Sequence, residues 1–163
     1  MTIATPVHPF ATQPFSPPNI TVDNATGDIY YATHDSTVYY VEKYHLGAAA
    51  SVVVAYSGSV RYIMEMRFNT NDNMLYAMTD DIMSFEFIKI DPSSGSITSV
   101  TTLPWVNPDY YSATLDQCSN RYFISAMLTG TGSMNRSLLN QLSMSGVVVQ
   151  TDTTATFYQG LTF

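Results

Sequence analysis

Residues Met66 to Leu103 read MRFNTNDNMLYAMTDDIMSFEFIKIDPSSGSITSVTTL. Four strand-length runs stand in that stretch, MRF, MLYAM, SFEFIKI and SITSVTTL, parted by Asn69 to Asn73, Thr79 to Asp81 and Asp91 to Gly95. The runs are rich in β-branched, aromatic and methionine side chains that fit a pleated surface. The breaks hold Asn, Asp, Ser, Pro and Gly, which supply positive φ or local side-chain hydrogen bonds.

The same order precedes and follows it. Upstream come NITVD, the turn Asn24 to Asp28, IYYAT, the break His34 to Ser36, TVYYVEKY, the turn His45 to Gly47, and ASVVVAY. Downstream come SATLD, Gln117 to Asn120, RYFISAM, a longer break at Leu128 to Met134, RSLLNQLSM, Ser145-Gly146 and VVVQT. Val22, Phe68 and Leu115 are separated by 46 and 47 residues, and Phe163 lies 48 further on. Asp28, Asn73 and Asn120, each set just before a second strand, are separated by 45 and 47. Gly47, Gly95 and Gly146 hold nearly the same phase, the extra residues of the third unit falling in its long break.

A period in the mid-forties with four strands per unit points to β-propeller blades. The expected fold is therefore all-β: four-stranded antiparallel blades in an incomplete ring of three, with single strands at both ends. The expected divisions are an outer strand and Pro-rich connector over 1–18, blades over 19–62, 63–111 and 112–156, and the inner strand of a further blade over 157–163. A β-sandwich or barrel built from the same dozen strands is the alternative. An apolar pair, an Asx-rich turn, Ile/Leu-Tyr and a strand ending Lys89-Ile90-Asp91-Pro92 before Gly95 resemble NHL-type and lactonase-like propeller blades. No Trp-Asp dipeptide or kelch-type double glycine occurs. That resemblance implies a ring of at least four blades, which three cannot close, so the expectation is that the edges are covered by copies of the chain or by another chain, or that the chain is a piece of a larger propeller.

Composition narrows the partners. The 163 residues carry a net charge of -7 with six basic residues, which Lys43, Arg61, Arg67, Lys89, Arg121 and Arg136 scatter along the chain. Nucleic-acid binding, which draws its affinity from clustered Lys and Arg, is excluded as an expectation. One cysteine, Cys118, allows no intrachain disulfide. No apolar run reaches membrane-spanning length. The N-terminal residues lack the basic and apolar regions of a signal peptide, which places the chain in the cytosol if Met1 is native; processing or a longer parent would permit an extracellular location. The nine methionines read as core filler between sheets.

Strand alternation sorts the loops onto two ends of each unit. The first and third turns share one end; the second breaks and the connections between units share the other. That second end is the expected binding face, because its loops are longer and carry Trp105, Tyr110 and Tyr111 in PWVNPDYY, with His34 nearby. Asp35 and Asp80, 45 residues apart and accompanied by Asp81, offer carboxylates for Ca²⁺ on that face, although no EF-hand spacing completes a shell. The runs at 23–28 and 69–73 look calcium-like but read as hairpin turns. Asn19, Asn24 and Asn135 open N-glycosylation triplets that would matter only in a secreted protein. No GxSxG elbow, phosphate loop or histidine set for nucleophilic catalysis is present. The leading expectation is a non-enzymatic assembly or interaction module that self-associates or docks a protein partner. The alternatives are a fragment of a propeller hydrolase or lactonase with a rim metal, and an extracellular adhesion or structural repeat protein.

Overall fold

The computed structural model describes residues 19–34, 38–56, 62–81, 84–103, 110–128 and 136–154. Twelve strands occur among them: β1 (Ile20–Asp23), β2 (Asp28–His34), β3 (Tyr39–Tyr44), β4 (Ser51–Tyr56), β5 (Tyr62–Asn69), β6 (Met74–Asp81), β7 (Ser84–Ile90), β8 (Ile97–Leu103), β9 (Tyr110–Asp116), β10 (Arg121–Leu128), β11 (Arg136–Ser143) and β12 (Val148–Thr154). They form three antiparallel meanders, β1–β4 (sheet I), β5–β8 (sheet II) and β9–β12 (sheet III), and no helix occurs among the described residues. No helix there is long and apolar enough to cross a membrane.

The first turn of every sheet is built alike. Asp23, Asn69 and Asp116 each accept a hydrogen bond from the backbone N–H two residues on, at 2.9, 3.1 and 2.9 Å. The fourth turn residue is left-handed in all three, Gly27 at φ 77°, Asn73 at 57° and Asn120 at 53°. Glycine and asparagine are the residues that tolerate this region most readily. The repeat phase therefore runs through Gly27, with spacings of 46 and 47, and not through Asp28, which is the first residue of β2. The corrected spacing now matches that of Val22, Phe68 and Leu115.

The third turns end in left-handed Gly47, Gly95 and Gly146. Beyond them each fourth strand carries one extra residue: Val53 between the pairs Val41↔Val54 and Glu42↔Val52, Val100 between Phe87↔Thr101 and Ile88↔Ser99, and Val149 between Gln141↔Gln150 and Leu142↔Val148. A bulge of this kind bends and twists the outer strand.

Sheet II lies between the other two. One of its faces sets Ile63, Met66, Phe68, Leu75, Ala77, Ile88 and Ile90 against Tyr30 and Val41 of sheet I, with Ala32, Val53 and Val54 packed alongside. Tyr30 and Phe68 stack with centroids 5.5 Å apart and planes 5° from parallel. The opposite face sets Met64, Tyr76, Met78, Phe85, Phe87 and Leu103 against Ala113, Leu115, Tyr122, Ile124 and Leu142 of sheet III. Phe87 meets Tyr122 at 4.9 Å. Backbones of neighbouring sheets approach one another mainly along their first strands, β1 with β5 and β5 with β9. The turn glycines supply the remaining close approach: a Cβ on Gly95 would stand 2.5 Å from the Val53 carbonyl oxygen, and one on Gly146 within 2.9 Å of Thr101 and Val100. Each of these glycines thus sits on the bulge of the preceding sheet.

Several sequence boundaries shift. Tyr110 and Tyr111, expected in a connecting loop, belong to β9 and pair with Met127 and Ala126. Tyr62 opens β5, and Asp80 and Asp81, expected in a break, continue β6 opposite Phe85 and Ser84. His34 closes β2 opposite Tyr39. In each case the ladder runs further than the apolar pattern, because backbone pairing does not need an apolar side chain at every step.

Candidate functional site

The most densely connected polar group lies where all three sheets meet, on β5. Between the pairs Met64↔Met78 and Arg67↔Tyr76 that strand holds one residue more than its partner. Glu65, in this bulge, is left-handed at φ 52°. A non-glycine residue held in that region costs about 1–3 kcal/mol and persists only where its surroundings over-determine it.

Those surroundings come from every sheet. The Glu65 N–H donates to Asn19 Oδ1 at 2.9 Å, and Asn19 Nδ2 donates in turn to the Ile63 carbonyl, so sheet I grips the bulge at two points. The Glu65 carbonyl accepts the hydroxyl hydrogen bond of Tyr122 from sheet III. Its carboxylate accepts from Arg67 Nη2 at 3.0 Å and from the Ala113 N–H. Arg67 also donates to the carbonyls of Ala113 at 2.7 Å and Met66 at 2.8 Å. Burial pushes the Glu65 carboxyl above its ordinary value, and the charge and hydrogen bond of Arg67 with the Ala113 N–H pull it only part of the way back. Burial likewise raises the Tyr122 hydroxyl, which stays protonated and donates.

A second polar seam joins the first turns of sheets II and III. Gln117 donates through Nε2 to the Phe68 carbonyl at 2.7 Å and accepts from the Thr70 N–H and hydroxyl, both at 3.0 Å. Asn69 Nδ2 donates to Asn120 Oδ1 at 2.9 Å, and Asn71 Nδ2 to the Gln117 carbonyl at 2.8 Å. Between sheets I and II the Phe68 N–H donates to Thr21 Oγ1 at 2.9 Å. Chemically this arrangement holds sheets at a fixed spacing: the Glu65 carboxylate is spent on Arg67 and the Ala113 N–H, and the amides of Asn19, Asn69, Asn71 and Gln117 on backbone groups, Thr70 and Asn120. Sequence reading passed over Glu65 and Arg67. Their signal was an acid and a base two residues apart inside the apolar run YIMEMRF.

The residues singled out from the sequence are placed as follows. Trp105, Asp35 and Asn135 lie outside the described residues. His34, Asp80, Asp81, Tyr110 and Tyr111 are placed by their backbones at strand ends. The meander puts all five at the end of the sheets opposite the first and third turns. Among the described residues no three His, Cys, Asp or Glu side chains gather as metal ligands. The carboxylates of the calcium-like runs are engaged by groups of their own sheets: Asp23 accepts from Thr26 Oγ1 at 2.7 Å, Asp28 from Lys43 at 3.2 Å, and Asp72 from Tyr76 at 2.7 Å and Lys89 at 3.4 Å. Asn24 is exposed in its turn, whereas the Asn19 amide nitrogen is already engaged with Ile63. Cys118 is a free, exposed thiol.

No family model matches the chain, and no curated protein is similar to it.

Proposed function

We propose that this protein is a non-enzymatic assembly module, built from propeller-type blades whose ring is completed by association with further sheets. One observation carries this reading. Val22, Phe68 and Leu115 occupy the same position of successive sheets, yet Phe68 and Leu115 are 4% and 8% exposed and Val22 is 42% exposed. Phe68 is covered by sheet I and Leu115 by sheet II. Sheet I has no counterpart before it among the described residues. Ile20 repeats the pattern, at 47% exposure against 0% for Met66 and Ala113. Side chains patterned for a sheet-to-sheet contact but left facing solvent are what an interaction surface requires. The concentration of backbone approach along first strands and the repeated glycine-on-bulge contact support blades radiating from a common edge.

Light scattering over a concentration series tests this. The chain of 18.0 kDa is expected to show a larger mass at micromolar concentration, falling on dilution. A mass of 18.0 kDa at every concentration, with the natural partner absent or present, would overturn the reading.

A further inference from the structure

The outer strand of sheet III is open in a way that those of sheets I and II are not. β4, β8 and β12 each stand at the edge of their sheet, with no strand on the far side among the described residues. In the first two the bulge valines, Val53 and Val100, are half-buried, because Gly95 and Gly146 of the next sheet sit on them. No described sheet follows sheet III, and every residue from Val147 to Thr153 is exposed. Val147, Val148 and Val149 are 61%, 43% and 50% exposed. Successive side chains of a strand point to opposite faces, so seven exposed residues in a row leave both faces of this strand in solvent.

Little in its composition hides this edge. Natural edges are blunted by lysine, by proline or by a bulge that twists the strand away. From Val147 to Thr154 there is no Lys, Arg, Pro or Gly, and Asp152 is the one charged residue. The bulge at Val149 lies near the start of β12; beyond it the ladder on β11 runs without interruption from Gln150↔Gln141 to Thr154↔Ser137. Those five residues, with threonine at 151, 153 and 154, are a regular edge of β-forming side chains.

What such an edge accepts is another extended strand, and the strand's own residues decide which. Two copies of β12 brought together antiparallel about a two-fold axis normal to the sheet pair side chains that share a face. Centring the pair on Asp152 sets two carboxylates opposite each other, which is unfavourable. Centring it on Gln150 sets Asp152 against Val148. Centring it on Thr151 sets Gln150 of each copy opposite Asp152 of the other. Gln150 Nε2 already donates to Asp152 Oδ2 of its own strand at 2.8 Å. An amide nitrogen has a second hydrogen to give and a carboxylate has further lone pairs, so the same bond can be made across the axis. The other open edges, β4 with SVVVAY and β8 with ITSVTTL, offer Asp152 no amide side chain and no cation.

We infer that β12 pairs with β12 of a second copy of this chain, antiparallel, with Thr151 on the two-fold axis and Gln150 facing Asp152 on either side of it. Two four-stranded sheets become one of eight strands. This contact goes beyond the assembly reading, which concerns first strands at the opposite edge of each sheet, and neither contact needs the other.

Cross-linking reads the register directly. In an antiparallel pair, facing Cα atoms stand about 4.5–5.5 Å apart, within reach of a disulfide. Thr151→Cys in a Cys118→Ser background is therefore expected to give, on mild oxidation, a covalent dimer of about 36 kDa, twice 18.0 kDa. Thr98→Cys, on the exposed β8 edge in the same background, is expected to stay a single chain. Thr151 donates to Asn140 Oδ1 at 2.6 Å, so a second pair of variants leaves that bond in place. Gln150→Asp sets a carboxylate opposite Asp152 in both halves of the contact and is expected to weaken self-association about tenfold by light scattering; Gln150→Lys sets a cation there and is expected to strengthen it by a similar factor. A dimer that cross-links at position 151 and that Val22→Glu leaves untouched supports the edge pairing on its own. An oligomer that both position-150 variants leave unchanged, with no cross-link at position 151, overturns the edge pairing while the assembly reading stands. A chain that stays at 18.0 kDa at every concentration and never cross-links overturns both.

Discussion

Sheets I and II are built to one plan, and they differ in what touches them. Sheet II is covered on both faces, and its first strand is pinned through Asn19, Thr21, Arg67 and Tyr122. Sheet I shares its turn geometry, its bulge and its positive-φ glycines, yet its first strand exposes Ile20 and Val22. The lesson is that the local code of a unit and its burial are set separately. Turn chemistry comes from each unit's own residues, whereas burial comes from the neighbour.

Substitutions that act through a neighbour should therefore separate the two sheets. The largest effect is expected in the covered one. Phe87→Ala removes a fully buried ring between Tyr76 and Tyr122 and should cost about 4 kcal/mol in urea unfolding. Val22→Ala in dilute protein should change stability by less than about 0.5 kcal/mol, as exposed sites do. Equal costs would erase the contrast between the sheets.

The glycines give a finer comparison at matched positions. Gly95→Ala brings a Cβ 2.5 Å from the Val53 oxygen at φ 72°, and the clash and the left-handed penalty together should cost about 3 kcal/mol. Gly47→Ala meets open space at φ 86° and should cost only the backbone penalty, about 1 kcal/mol in dilute protein. Assembly would raise the second cost toward the first, so the gap between the two should narrow with concentration.

The smallest effect is a drift with pH. The folded carboxyl of Glu65 titrates above its ordinary value of 4.5, so between the two values the folded state binds more protons than the unfolded chain. Its contribution is most favourable below the unfolded value and is lost as pH rises through the folded one. Urea midpoints of Glu65→Gln relative to wild type should accordingly shift in the variant's favour as pH rises across that window. Asp28 moves the other way: burial raises its pKa, but hydrogen bonds from His45 at 2.7 Å and Lys43 at 3.2 Å more than offset this and lower it overall. That contribution fades as pH falls and is common to both proteins, so it cancels in the difference. A shift favouring wild type with rising pH would contradict the burial of Glu65.

The sequence made the strand count and the turns legible because both depend on local chemistry. NITVD alternates in strand fashion, MLYAM and SFEFIKI are strand-length runs of apolar and aromatic residues, and Gly47, Gly95 and Gly146 mark third turns by the φ they adopt. Assigning the first-turn phase to Asp28 failed by one residue because Asn and Gly share the left-handed position there, and an acid looked like the closer match to Asn73. Tyr110 and Tyr111 were drawn into a loop by Pro104 and Pro108, although two tyrosines in succession suit a strand, which is where they lie. The bulges at Val53, Val100 and Val149 had no readable mark, since valine is an ordinary strand residue; packing of the next sheet's glycine is what singles them out. Glu65 was hidden for a related reason. Its conformation is imposed by groups 46 to 57 residues distant, and no local pattern encodes them.

The most direct measurement is amide hydrogen exchange at Val22 and Phe68 as a function of protein concentration. The Phe68 N–H is held by Thr21 Oγ1 of the preceding sheet. Val22 holds the matching position on sheet I, where it is 42% exposed. Exchange at Val22 should be as slow as at Phe68 in concentrated protein and should quicken on dilution, while Phe68 stays slow throughout. Fast exchange at Val22 at every concentration would contradict the assembly reading.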